Sequence, residues 1–191
     1  MESRTRQIVA ASLIAGSMIL AIIAVRQANK RKSFPHVSRE SDPAVRNYFG
    51  LPGFLSSAYP RGIRNNNPGN LKITSSAWNG KIAAGKNSDG TFEQFISFEY
   101  GVRAMIKQLK NDIDRGYNTL VKLIGKYAPP SENNTSGYIT FVVSQTGLDK
   151  NAGLVSTKAL LKNLVRAMSV MENGPAYPVT DRQFEEAYQM L

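Results

Sequence analysis

The chain has 191 residues, with 24 lysines and arginines against 14 aspartates and glutamates, and a formal net charge of +10. Its 42% content of hydrophobic residues is enough for a packed core. Because the chain has no cysteine, disulfides, thiolate catalysis and Cys-ligated metal sites are excluded. The single histidine, His36, argues against a Ser-His-Asp triad or a multi-histidine metal centre. We therefore expect no metal and no cofactor, and carboxylates as the proton carriers of any enzymatic reaction.

A long apolar segment lies near the N-terminus. Residues 8–25 contain neither charge nor proline, and at about 1.5 Å per residue they reach roughly 27 Å, close to the ~30 Å hydrocarbon core of a bilayer. They predict a single transmembrane helix, with a cleaved signal peptide as the alternative. Residues 1–32 would then form a transmembrane anchor with basic flanks. We therefore predict a single-pass membrane protein.

The basic charge is concentrated near this segment. Residues 1–46 hold eight basic and three acidic side chains, whereas residues 61–191 hold sixteen and eleven. No alternation of basic and aromatic residues accompanies the excess. It therefore indicates charges that flank a membrane, and sequence-specific binding to nucleic acid is not expected.

After the predicted span, a proline-rich segment gives way near residue 61 to a segment with signals for turns, strands and helices. Residues 33–60 contain four prolines and no sustained periodicity, which is typical of a linker. The globular domain is expected at residues 61–191. It opens with a turn-forming asparagine-rich segment at 64–70, and two candidate strands follow at 70–74 and 91–96. The dipeptides Asn-Gly and Asp-Gly between them favour a small β-hairpin.

The rest of the chain has helical periodicity. Apolar residues at 102, 106, 109 and 113 predict a helix that begins after Ser97 and ends before Gly116. Further helices are expected after Asn118 or Thr119, at about 136–146, after Ser156, and after Thr180, where Gln183 completes a capping box. The predicted fold class is α+β, a single transmembrane helix followed by a mostly helical domain with a small β-hairpin.

Several motifs resemble those of a family of phage and prophage virion structural proteins, some of them from virions with an internal membrane. The resemblance covers roughly residues 61–175. It rests on RGIRNNNPGNL at 61–71, Trp78-x-Gly80, Phe92-x-x-Phe95, Gly101-x-Arg103-Ala104, Asn118-Thr119-Leu120 and YAPPxENxTxxY at 127–138. The RGIRNNNPGN string is the most specific of these motifs. Together with the predicted span, the resemblance implies a location in a virion internal membrane or in a host membrane.

The order of elements also resembles that of lysozyme-like glucosaminidases and lytic transglycosylases. This resemblance implies a lysozyme-like domain at 61–191 with peptidoglycan as its substrate. In those enzymes the general acid is a glutamate on a helix that precedes the turn and hairpin. Here the corresponding window holds only Glu40 and Asp42, in a proline-rich segment.

Three glutamates are the candidate catalytic residues, because glycosidic cleavage needs a carboxylic acid that can protonate the leaving oxygen. Glu99 follows a cluster of phenylalanines, where partial burial could raise its pKa, although a glutamate in a first helical turn also suits the helix dipole. Glu93 could instead lie on a solvated strand face, and Glu132 could set a turn.

Six residues are candidates for substrate binding. Asparagines can hydrogen-bond N-acetyl groups, aromatic rings can stack on sugars, and an arginine can contact an anionic peptide stem. Each residue could equally have a structural role in a turn or in the core. The candidates are Asn67, Asn70, Trp78, Arg103, Tyr127 and Tyr138.

Two functions remain open at this point. In the first, a membrane-anchored phage virion protein binds or cleaves peptidoglycan, as a glycan-strand hydrolase or lytic transglycosylase, and aids penetration of the cell wall. In the second, a non-enzymatic virion protein links an internal membrane to the capsid or to DNA. The partners expected are peptidoglycan, a lipid membrane and other virion proteins.

Overall fold

The computed structural model describes residues 59–191. The described part is helical and contains six α-helices and one short 3₁₀ turn at Ala84–Lys86. In chain order the helices are α1 Arg61–Arg64, α2 Phe98–Asp114, α3 Leu120–Tyr127, α4 Thr135–Thr146, α5 Lys158–Asn173 and α6 Asp181–Gln189.

Side-chain caps fix where most of these helices begin. Thr119 Oγ1 accepts a hydrogen bond from the Lys122 amide, and Thr180 forms the predicted capping box with Gln183. The helices predicted from periodicity are therefore confirmed. One cap differs: Thr157 rather than Ser156 caps α5, because the Thr157 side chain is the one that accepts from a first-turn amide.

The core is built around α2. This helix packs against α3, α5 and α6, and α5 also contacts α1 and α4. Val102, Ile106 and Leu109 are completely buried, as their spacing predicts. At about 1.5–3 kcal/mol for each large apolar side chain removed from water, this stripe supplies much of the stability that offsets the ordering of the chain.

The predicted β-hairpin is wrong, and with it the α+β class. In residues 59–191 the backbone pairs only at isolated antiparallel bridges, Lys72 with Phe92 and Lys81 with Phe95, and forms no strand. The segment 91–96 divides its backbone hydrogen bonds among several partners, since Glu93 N donates to Leu71 O and Phe95 N donates to Asn65 O. No single partner therefore continues far enough to make a ladder.

Asparagine side chains take the place of the missing ladder. Asn67 Nδ2 donates to the carbonyls of both Leu71 and Glu93, at 2.9 Å each, and Asn67 Oδ1 accepts from the Leu71 amide. Asn66 Nδ2 donates to the carbonyl of Phe95 at 3.1 Å. Because these buried amides satisfy backbone groups that a strand partner would otherwise satisfy, the region is ordered without being a sheet.

The predicted single-pass membrane localisation is not borne out by the described residues. None of the helices in the 59–191 region is both long enough and apolar enough to cross a bilayer. The segment that carried the prediction, residues 8–25, lies outside the described residues, as do residues 33–58 of the predicted linker. The function proposed below rests on residues 59–191 alone.

Two helical glycines give a test of how tightly the asparagine-rich turn packs on α2. A Cβ at Gly101 would lie 1.7 Å from the backbone oxygen of Asn66, whereas a Cβ at Gly125 in α3 would meet open space. We expect Gly101→Ala to lower the free energy of unfolding by about 1–3 kcal/mol through overpacking. Gly125→Ala should raise it by about 1 kcal/mol through helix propensity. Urea denaturation of both variants measures the contrast, and two changes of the same sign would contradict the packing described here.

Candidate functional site

A groove of about 560 Å³ opens on one side of the described domain. One wall is the extended segment from Gly69 to Trp78, and the other comes from α2, the end of α3 and the loop after it. Glu172, in the last turn of α5, also lines it. The polar side chains of the lining are Asn70, Lys72, Thr74, Ser76, Gln108, Asp112, Lys126, Tyr127, Glu132, Asn133 and Glu172.

Glu172 combines burial with neutral hydrogen-bond partners. Asn70 Nδ2 donates to its Oε2 and the Tyr138 hydroxyl donates to its Oε1, both at 2.9 Å. Burial raises the pKa of Glu172 above the usual glutamate value, and the two hydrogen bonds oppose that shift only in part. A carboxyl group in this setting retains its proton to a higher pH than an exposed one, and it is able to donate that proton.

Two tyrosines extend the network around Glu172: Tyr138 is buried and Tyr127 is partly buried. The Tyr127 hydroxyl donates to the carbonyl of Gly69, and the Tyr138 side chain comes from α4. Burial, together with the nearby Glu172 carboxylate, raises the pKa of both phenols well above 10. Both hydroxyls therefore stay protonated and act as neutral donors in the network.

The asparagine-rich turn delivers Asn70 to Glu172. Asn70 has a φ of 46°, in the left-handed region that asparagine tolerates better than most residues. Asn173 Nδ2 donates to the carbonyl of Pro68 at 2.8 Å, which fastens the turn to the end of α5. Since Glu172 and Asn173 are adjacent, the same helix end holds the turn and presents the carboxyl.

The two other carboxylates of the groove lining are held by lysines. Asp112 is 1% exposed; its Oδ1 pairs with Lys126, and its Oδ2 accepts from Gln108 Nε2 at 2.6 Å. Glu132 pairs with Lys72 at the exposed rim, where about half of each side chain is accessible. The Lys72–Glu132 pair joins the two walls of the groove.

The structure brings five of the nine predicted site residues to one place. Asn70, Trp78, Tyr127 and Glu132 line the groove, and Tyr138 hydrogen-bonds Glu172. Trp78 packs on the small apolar cluster of Leu71, Phe95 and Ala104, which joins the extended wall to α2. The predicted roles of these five residues in catalysis or binding stay predictions.

The other four predicted residues lie outside the lining of this groove. Glu93 is 1% exposed and pairs with Lys81 at 3.0 Å, and Asn67 satisfies backbone groups in the turn. Arg103 Nε donates to the carbonyl of Met190 at 2.8 Å, which ties α2 to the chain end after α6. Glu99 lies in the first turn of α2.

Sequence reasoning missed Glu172. The apolar stripe of α5 indicated a core helix, and Glu172 stands beside that stripe, just before Gly174. One local signal was present: a negative charge in the last turn of a helix is opposed by the helix dipole. A glutamate at such a position needs hydrogen-bond donors from elsewhere in the fold to stabilise its charge, and here Asn70 and Tyr138 supply them.

No group of three or more His, Cys, Asp or Glu side chains in residues 59–191 is arranged to hold a metal ion. The arrangement around Glu172 instead places a carboxyl group of raised pKa in the groove, with Asn70 and Tyr138 as neutral hydrogen-bond donors. The expectation that the protein uses neither metal nor cofactor stays a prediction.

The raised pKa of Glu172 makes stability depend on pH. Just above the ordinary value of 4.5 the folded state binds more protons than the unfolded state, so stability falls as pH rises through that window. We expect Glu172→Gln to gain melting temperature relative to wild type between pH 4 and 7, because glutamine is never charged. Thermal unfolding at several pH values measures the difference. Glu185→Gln, at a partly exposed residue paired with two lysines, should show no such gain. A difference for Glu172→Gln that is constant with pH would refute the assignment.

No protein-family model matches the chain. The chain is similar to Protein P5 of Pseudoalteromonas phage PM2, with 33% identity over 133 residues that cover 68% of this chain and 80% of that protein. This extent of identity confirms the predicted relationship to phage proteins, while leaving the predicted lysozyme-like domain without support. The chain belongs to the phage protein family of Protein P5.

Proposed function

We propose that this chain is a structural protein of a phage virion and that it binds the glycan strands of peptidoglycan in the groove around Glu172. The relationship to Protein P5 supports the virion role. The observation that carries the glycan-binding role is the groove itself, whose walls combine an aromatic ring with a dense set of neutral hydrogen-bonding side chains.

The dimensions of the groove suit a chain of sugars. Its volume of about 560 Å³ lies within the ~300–1,000 Å³ typical of ligand sites. Its two walls are the segment from Gly69 to Trp78 and a unit formed by α2, the end of α3 and the loop after it. We propose that the glycan strand lies between these walls.

The chemistry of the lining matches that of an N-acetylated glycan. Such a strand presents hydroxyl groups, amide donors and amide acceptors, which pair with side-chain amides and hydroxyls. Gln108, Asn133 and Thr74 supply these groups, and Trp78 supplies a ring on which the apolar face of a sugar can pack.

The charges of the groove favour a glycan over DNA. A phosphate backbone is bound by lysines and arginines whose charge is available. In this groove Lys126 is committed to Asp112 and Lys72 to Glu132. The lysine charges are therefore compensated within the groove, whereas the neutral donors and acceptors of its lining suit the hydroxyl and amide groups of a glycan.

Trp78 gives a direct test, because it is the single tryptophan of the chain. We expect soluble peptidoglycan glycan fragments to change the intrinsic fluorescence of the full-length protein in a saturable way. Trp78→Ala should reduce co-sedimentation with purified peptidoglycan about tenfold, as is common for a buried aromatic contact.

The matched control for Trp78→Ala is Val155→Ala. Val155 is 72% exposed, does not line the groove, and should retain wild-type co-sedimentation. Equal losses in both variants, or unchanged fluorescence at saturating fragment, would refute glycan binding in this groove and leave a virion role that does not involve peptidoglycan.

A further inference from the structure

Two Asn-Gly dipeptides occur in the sequence, Asn79-Gly80 and Asn173-Gly174. In this dipeptide an asparagine side chain reacts readily with the main chain, because glycine has no side chain to shield its amide nitrogen. The reaction needs an accessible asparagine and an amide nitrogen that is not held in a hydrogen bond. The surroundings of the two dipeptides differ in both respects.

The Asn173-Gly174 pair is protected by the fold. Asn173 is 5% exposed, and its Nδ2 donates to the carbonyls of Pro68 and Ser169 at 2.8 and 3.0 Å. The Gly174 amide donates to the carbonyl of Val170 at 2.8 Å. Both reacting groups are therefore held in hydrogen bonds, and a reaction at this pair requires the end of α5 to open first.

The Asn79-Gly80 pair is open by comparison. Asn79 is exposed, and it lies in a turn that the Lys81 amide closes by donating to the Trp78 carbonyl at 3.3 Å. Among the residues that the structure describes, none accepts a hydrogen bond from the Gly80 amide, and none hydrogen-bonds the Asn79 side chain. The amide nitrogen and the side chain that it would attack are therefore adjacent, and no hydrogen bond holds either of them.

The fold also requires a glycine at position 80. The φ of Gly80 is 70°, in the left-handed region, and a Cβ at this position would lie 2.3 Å from Cγ of Tyr100 in α2. A residue with a side chain would shield the amide nitrogen and slow the reaction, but it would clash with this ring. The packing of α2 on the turn therefore maintains the reactive dipeptide.

We propose that Asn79 is a modification site, where the side chain forms a cyclic imide with the Gly80 amide and is then hydrolysed to isoaspartate or aspartate. In the first step the Gly80 nitrogen forms a bond to Asn79 Cγ, and the bond from Cγ to Nδ2 breaks. The Gly80 amide proton leaves with Nδ2 as ammonia. In the second step one water molecule adds to either carbonyl of the imide and opens the ring. Nothing is oxidised or reduced, and water is the co-reactant.

The product alters the wall of the groove at Trp78. It carries a carboxylate in place of a neutral amide, directly after the aromatic ring that lines the groove. Isoaspartate also adds one carbon to the main chain between Trp78 and Lys81, which enlarges the turn closed by the hydrogen bond between these residues. We therefore expect modification to change the position of Trp78. This consequence for glycan binding rests on the proposed function, whereas the modification itself does not.

The test follows both dipeptides in one digest of the full-length protein. Trypsin cleaves after lysine and arginine, so Asn79 falls in the peptide 73–81 and Asn173 in the peptide 167–182. Folded protein and protein unfolded in guanidinium chloride are incubated at mildly alkaline pH and then digested. Mass spectrometry measures the mass gain that accompanies replacement of an amide by a carboxyl group, and labelling with an isoaspartyl methyltransferase identifies isoaspartate.

We expect Asn79 in the folded protein to deamidate at least about ten times faster than Asn173, because Asn173 reacts only after local unfolding. In denaturant the two rates should become similar, since both dipeptides are then accessible. Asn79→Gln is the matched control. It keeps an exposed amide at the same position, but its longer side chain would have to close a larger ring, so its peptide 73–81 should stay unmodified.

The other outcomes each overturn a defined part. Equal rates at Asn79 and Asn173 in the folded protein would refute the proposed site, and so would an Asn79 that reacts in denaturant alone. A mass gain in the Asn79→Gln peptide at the wild-type rate would refute the cyclic imide. Glycan titrations of fully modified protein that match those of fresh protein would refute the effect on the groove and leave the modification site intact. Failure of fresh protein to bind glycan would refute the proposed function alone.

Discussion

The groove depends on how the asparagine-rich turn is held between two helices. On one side the turn packs so closely on α2 that Gly101 leaves no room for a Cβ against the Asn66 carbonyl. On the other side Asn173 donates to the Pro68 carbonyl and secures the turn to α5. These two contacts come from elements far apart in the chain, and together they fix the position of Asn70 beside Glu172.

The same helix end that fixes the turn also carries an electrostatic cost. Glu172 lies in the last turn of α5, where the helix dipole opposes a negative charge, and burial adds to that penalty. A core methionine or leucine at this position would avoid both. The hydrogen bonds from Asn70 and Tyr138 offset part of the cost. An acidic residue in an electrostatically unfavourable position within a groove is typical of a functional site rather than of a residue that stabilises the fold.

The helices were predictable because their signals are local. The apolar spacing of α2 and the Thr180–Gln183 capping box each lie within one element of the chain. The absence of the hairpin was not predictable. Alternating apolar residues and turn dipeptides favour a strand at 91–96, but the side chains of Asn66 and Asn67 bind the carbonyl groups that a partner strand would have bound. Asn70, Trp78 and Tyr127 could be nominated by residue type, but Glu172 could not, because its partner Asn70 lies 102 positions away.

The distribution of charge in the groove connects its fold to its chemistry. Asp112 is buried at the interface of α2 with the end of α3, where Lys126 compensates its charge, so this pair supports the wall of the groove. Glu132 and Lys72 join the rims, where solvent weakens their attraction. Glu172 differs from both, because its hydrogen-bond partners are the neutral side chains of Asn70 and Tyr138 rather than a lysine. In a fold that pairs its other groove carboxylates with lysines, burial is the dominant influence on Glu172, and it raises the pKa of this carboxyl although the hydrogen bonds from Asn70 and Tyr138 oppose the shift.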